Sequence, residues 1–196
     1  MNILTLIFAL TFSFSIFKFN SNYIQVSVQQ NNRLQLDSFI NNPKSILSFK
    51  NNKPDSTYMN SNPCGCKKYI TAKVNEYKCY QFYYAPIDYR YEFTRGKPIG
   101  YNFIEIFTAR KIKGNKNVDE YYDQSEVLIG FKFYNNNKNF KYLNYIGKNT
   151  KLVTEKYGEP DNKTEKYFSY SVNNKTLYFY HKNNKIVLIE YKSIIY

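Results

Sequence analysis

The residues of this chain best equipped for chemistry are one histidine and three cysteines, and their settings argue against a reaction. His181 alternates in register with Leu177 and Phe179, which reads as a strand residue beside a core rather than a general base. Cys64, Cys66 and Cys79 could be joined with His181 into a zinc site, but the spacing matches no common zinc framework. The carboxylates are scattered. Asp119, Glu120 and Asp123 read as a solvated helix start, and Asp161 behind Pro160 as a turn residue accepting backbone hydrogen bonds. Neither a glycine-rich phosphate loop nor a G-x-S-x-G turn occurs. A reaction needs a nucleophile with a base, a carboxylate pair or a metal. The sequence predicts none of these, and so no enzyme, no cofactor and no metal.

Three cysteines is an odd count for a compartment that oxidises thiols. Cys79 can bridge Cys64 or Cys66 with one thiol left over, and Cys66–Cys79 is the candidate pair taken forward. A hairpin turning at Asn75-Glu76 would set Cys79 opposite Ala72, so the bridge requires the Pro63–Cys66 loop to fold back. The compartment is read from the N-terminus. Ile3 to Phe17 is an uncharged run of 15 residues followed by Lys18. That is shorter than the ~20 residues of a membrane span and suits a signal-peptide core. Ser13 and Ser15 are small residues at the spacing a signal peptidase uses. Residues 1–21 read as a signal peptide and the protein as exported, periplasmic or extracellular, with an uncleaved anchor as the competing reading. No cysteine follows the run directly, which argues against a lipid anchor.

The net charge is +13. It suits an acidic protein, a membrane surface, an anionic envelope polymer or nucleic acid, and a signal peptide argues against the last. Drift towards Lys, Asn, Ile, Tyr and Phe would give the same charge without a function, and the Asn pairs scattered through the loops favour it. The aromatic load is a further signal, with 22 Tyr and 16 Phe but no Trp. Tyr combines contact area with a polar tip and few rotors, so tyrosines beyond the needs of a core read as interface anchors. Alternation sorts the two groups. Tyr89, Tyr91 and Phe93 oppose Asp88, Arg90 and Glu92 and read as buried, while Tyr178, Tyr180 and Lys182 oppose Leu177 and Phe179. Tyr167, Tyr178, Tyr180 and Lys182, with Tyr77, Tyr83 and Arg90 from the first half, are expected on one helix-free sheet face as the partner-binding surface.

The elements that would position this face repeat. Leu34, Leu36, Phe39, Ile40, Ile46, Leu47, Pro54 and Asp55 recur 106 residues later as Phe140, Tyr142, Tyr145, Ile146, Leu152, Val153, Pro160 and Asp161. Tyr23 to Gln29 alternates and predicts a strand broken by Asn31-Asn32. Leu34 to Lys50 predicts helix, with Asn42 capping and Pro43 opening its second piece, and Asn51 to Pro63 predicts loop. Strands are expected over Tyr69–Val74, Lys78–Tyr84, Tyr89–Thr94 and Tyr101–Arg110, then a linker over Lys111–Asn117. The second half predicts a strand over Val127–Tyr134 and a helical pair within Phe140–Tyr157, closed by Gly158 as a left-handed cap. A meander of Tyr167–Val172, Thr176–Lys182 and Lys185–Lys192 follows, turning at Asn173-Asn174 and Asn183-Asn184. The fold class is α+β: two tandem units, 22–113 and 114–196, with helix pairs packed on one face of antiparallel sheet.

Gly147, Thr150, Val153, Gly158 and Pro160 spell G-x-x-T-x-x-V-x-x-x-x-G-x-P, with a Tyr-rich strand and the hairpin Leu177–Tyr180, Asn184–Val187 behind it. This stretch of about 50 residues resembles the small domain of the BamE (SmpA/OmlA) outer-membrane assembly proteins. The first unit is divergent, with Asn41 and Asn52 where the second has its two glycines. The tandem layout is similar to that of the β-lactamase inhibitor proteins. The resemblance implies a binding scaffold without catalysis. The expected function is an exported protein that binds another protein across an aromatic, basic sheet face, as an inhibitor or immunity-type protein. The alternative is a structural or assembly factor of the cell envelope, held by charge on an anionic surface or polymer.

Overall fold

A computed structural model describes residues 25–51, 57–60, 77–84, 93–94, 97–98, 104–111, 126–136 and 140–194. Its helices are α1 (residues 25–41), α2 (Lys44–Asn51) and α3 (Lys151–Tyr157). The strands are β1 (Thr57–Asn60), β2 (Tyr77–Tyr84), β3 (Phe93–Thr94), β4 (Lys97–Pro98), β5 (Ile104–Lys111), β6 (Val127–Phe133), β7 (Asn162–Lys163), β8 (Tyr167–Val172), β9 (Lys175–Lys182) and β10 (Lys185–Ser193). The class is α+β. Seven strands and the two-residue β7 form one antiparallel sheet in the order β1-β2-β5-β6-β10-β9-β8-β7, while β3 and β4 pair with each other. The expected strand Tyr69–Val74, most of Tyr89–Thr94, the linker beyond Lys111, the N-terminal segment, Cys64, Cys66 and Arg90 lie outside the described residues. No helix among the described residues is long and apolar enough to cross a membrane.

The strand expected over Tyr23–Gln29 is corrected: residues 25–41 form a single helix that runs through Asn31-Asn32. The alternating Val26 and Val28 are 52% and 54% exposed, so their period of two marks no sheet face. The face that counts is Gln29, Arg33, Leu36 and Ile40, spaced as one side of a helix. Leu36 and Ile40 are fully buried. Gln29 donates from Nε2 to the carbonyls of Thr154 and Glu155 at the end of α3 (3.2 and 3.1 Å). Arg33 clasps Asp161 through Nη2 (2.8 Å), Asp37 through Nε (2.9 Å) and the Glu159 carbonyl, with its guanidinium 4.7 Å over the Tyr170 ring. The break between α1 and α2 falls at Asn42-Pro43, as expected from a proline that cannot donate to the preceding turn.

Two further corrections concern loops. The expected loop Asn51–Pro63 holds β1, an edge strand paired with β2. The helical pair expected within Phe140–Tyr157 is a run of turns followed by α3 alone. The Asn136 side chain bonds both backbone groups of Ile146 at 2.8 Å, and Gly147 N–H donates to the Ile186 carbonyl (2.7 Å). The first two tie the turns to the chain leaving β6 and the third ties them to the β9–β10 hairpin, where a helix would have kept these groups for itself. Gly158 ends α3 at φ +82°, ψ −172°, with its N–H on the Thr154 carbonyl. That conformation lies beyond the left-handed helix region and is essentially reserved for glycine. The hairpin turn Asn183-Asn184 has both residues at positive φ, which matches the twist of the strands it joins.

One apolar core lies between the helices and one sheet face. It joins Leu36, Phe39, Ile40 and Ile46 to Ile104 and Ile106 of β5, Phe131 and Phe133 of β6, and Phe168, Tyr170, Phe179, Ile189 and Tyr191 of the meander. Helices and both halves of the sheet share it. The 106-residue repeat is not a repeat of buried positions: Leu34 is 67% exposed where Phe140 is buried, and Ile46 is buried where Leu152 is 48% exposed. A bulge between Phe107 and Thr108 on the β5–β6 ladder leaves Ile129 unpaired. It therefore joins Cys79, Phe107 and Ala109 in a second cluster on the other face, while Phe131 and Phe133 stay in the main core.

α2 is tied to the sheet by charge. Glu126 accepts from Lys50 of α2 and, at 2.6 Å, from the Thr108 hydroxyl, with Arg110 Nη2 at 3.4 Å. Burial pushes the Glu126 carboxyl up, but the Lys50 and Thr108 hydrogen bonds and the two cations outweigh it and hold the group below its ordinary value.

Candidate binding face

No helix among the described residues packs on the second face of the sheet. The register defines what it presents. Cross-strand pairing sets Glu105 beside Lys132, Lys132 beside Glu190, Glu190 beside Tyr178 and Tyr178 beside Ser169 in one row. The row next to it sets Leu188 beside Tyr180 and Tyr180 beside Tyr167. Alternation on β9 then gives Lys182 to the same face.

Tyr167, Tyr178 and Tyr180 form one cluster. Tyr167 meets Tyr178 edge-on at 5.3 Å between ring centroids and Tyr180 tilted at 5.5 Å, while Tyr178 and Tyr180 lie near-parallel at 6.1 Å. Each ring is half-buried. Glu190 lies beneath them, 5% exposed, accepts from the Tyr180 hydroxyl at 2.8 Å and forms an ion pair with the Lys192 ammonium at 3.4 Å. Lys192 Nζ also stands 5.0 Å over the Tyr178 ring, and Lys132 Nζ 5.8 Å over that of Phe107. Burial, then the bond to Glu190 and its charge, push the Tyr180 phenol well above its ordinary pKa, so it remains a donor across the physiological range. The rings are thus held in place by one another and by Glu190. The carboxylates of this face already accept hydrogen bonds, Glu105 from Tyr134 (3.0 Å) and Gln81 (3.4 Å). What the face offers is flat aromatic area with a lysine rim.

Of the residues expected here, the structure brings together Tyr167, Tyr178, Tyr180 and Lys182, the last exposed at the end of β9. Tyr77 is half-buried and packs against the second cluster, where Cys79, Phe107, Ala109 and Ile129 are each 6% exposed or less. Tyr83 pairs with Glu105 on β5, its side chain outside the described residues, as is Arg90. Cys79 is buried and disulfide-bonded, and its partner lies outside the described residues. His181 stands half-buried with its ring 6.2 Å from Phe168. Four strand spacings separate β2 from β9, about 19 Å, so Cys79 and His181 cannot share a metal ion. Sequence reasoning missed Glu105, Lys132, Glu190 and Lys192. Alternation within each strand would have placed them on this face, but only the order β5-β6-β10-β9 makes them neighbours.

Comparison with protein-family models, with curated proteins and with solved structures finds no match.

Proposed function

We propose that this is an exported, non-enzymatic protein that binds another protein, acidic in character, on the sheet face around Tyr167, Tyr178 and Tyr180. The observation that carries the reading is the half-buried three-tyrosine cluster on a face that no described helix covers. Rings already packed against one another lose little freedom on binding, which is what makes such residues energetic anchors. Lys132, Lys182 and Lys192 border the cluster and the chain carries +13, which favours an acidic partner and repels a basic one. The spacing of Gly147, Thr150, Val153, Gly158 and Pro160 supports a BamE-like unit in the second half of the chain, and with it an inhibitor or immunity-type role.

The test uses the full-length chain as bait on envelope and culture extracts, washed at moderate and then high salt. One protein retained through the high-salt wash, and captured at least tenfold less by the double variant Tyr178→Ala/Tyr180→Ala, is the expected outcome. Equal capture by the folded double variant would remove this surface from consideration. Heterogeneous anionic material lost with salt would replace the reading with a charge-held envelope factor.

A further inference from the structure

Where α1 gives way to α2, a groove of about 510 Å³ opens towards β6 and β10, with Tyr77 and Val127 of the second sheet face also in its lining. Pro43 and Leu47 line it from the helix side, and Leu128 and Tyr191 from the strands. Leu47 and Leu128 remain half-buried there, so each keeps apolar surface that a bound molecule would cover. The size is that of a small-ligand site, roughly 300–1,000 Å³.

Its polar lining is Asn41, Asn42, Ser193, two lysines and one carboxylate. Lys44 is exposed on the helix side, and Lys175, which donates to the Asn41 carbonyl, lines the strand side. Glu126 is the carboxylate among the lining residues, and it is already engaged by Lys50, Thr108 and Arg110. The Tyr191 hydroxyl is turned to the Ile40 carbonyl at 3.1 Å. An apolar trough between two lysines, with its acid neutralised from behind, complements a molecule with an apolar body and an anionic head. The geometry points to a site for a small amphiphilic carboxylate, its chain along Leu47 and Leu128 and its carboxylate at Lys44 and Lys175. This site is separate from the tyrosine face and does not depend on it.

The probe is decanoate, titrated by calorimetry into the full-length protein, with decanol and acetate as isosteres lacking the head or the tail. Decanoate should bind at least tenfold more tightly than either, with amide shift changes centred on Leu47 and Leu128. Lys44→Glu should weaken it about tenfold, the loss of one close charge pair and its replacement by repulsion, and Lys44→Gln by less. Lys166→Glu makes the same change in net charge at the far end of the β8–β9 pair and should leave affinity unchanged. Three results would overturn the site: no decanoate binding at millimolar concentration, equal binding of decanol, or equal weakening by the Lys44 and Lys166 reversals.

Discussion

Removing the carboxylate of Glu126 takes the charge partner from Lys50, whose side chain is only 8% exposed, and one of several partners from Arg110. Glu126→Gln should therefore cost about 3 kcal/mol, the penalty for orphaning buried charge, read as a lower urea midpoint at pH 7. The sign of the pH effect follows from the lowered carboxyl. Its stabilisation is present above the ordinary value of 4.5 and is lost as pH falls through the lower folded value. Wild type should thus lose stability below about pH 4.5 more steeply than Glu126→Gln. The alkaline side is set by phenols. Burial raises Tyr157, Tyr170 and Tyr180 well above the ordinary tyrosine value and pushes Tyr191 up to about 12. Groups raised by folding stabilise below the unfolded value of 10.0 and withdraw that support as pH climbs past it. An ultraviolet titration should find a class of tyrosines ionising late, and Tyr180→Phe should remove one of them. The tyrosines of the candidate face were legible from alternation alone, because Tyr178 and Tyr180 flank the buried Phe179 on a regular strand. Glu126 was not, since its partners come from α2 and β5.

At the scale of elements, α1 is held at two ends by different forces. Its C-terminal half buries Leu36, Phe39 and Ile40, while its N-terminal half faces the body through Gln29 and Arg33, with Val26 and Val28 exposed. Arg33→Ala should cost about 1 kcal/mol overall, because Asp161 is 40% exposed and water screens the pair. The diagnostic is local: amide exchange should accelerate over residues 25–33 and stay unchanged in β8–β10. A general slowing or quickening everywhere would mean the clasp is part of the global core. The other end of the same contact is Gly158, which its φ of +82° with extended ψ reserves for glycine. Gly158→Ala should cost about 2 kcal/mol of backbone strain, measured by denaturant unfolding, even though a Cβ there would meet Gln29 only at an ordinary 3.7 Å. The strands of the meander were readable to within a residue because alternation and Asn pairs agree. The first helix was misread because Val26 and Val28 alternate by chance of composition, while the true helical signal, Gln29 to Arg33 to Leu36, is half polar. Hydrophobic pattern alone cannot register an element docked by hydrogen bonds.

For the whole molecule, the tandem repeat and the shared core make opposite predictions about unfolding. Two units with separate cores would melt in two steps. The structure instead places Phe131 at a junction: opposite Ile106 on β5, stacked on Tyr191 of β10 at 4.9 Å, and 6.4 Å from Phe39 of α1. Its side chain is fully buried, so the ring's contacts cross from the first half of the chain to the second. The β6–β10 pairing that completes this junction joins strands far apart in sequence, and no local pattern encodes it. Phe131→Ala should remove about 3–5 kcal/mol and do so for both halves together. Unfolding followed by amide exchange in β2–β5 and in β8–β9 should give one coincident transition, in wild type and variant alike. Two separated transitions, with Phe131→Ala moving only the second, would mean that the halves fold as independent units and that the continuous sheet is an interface between them.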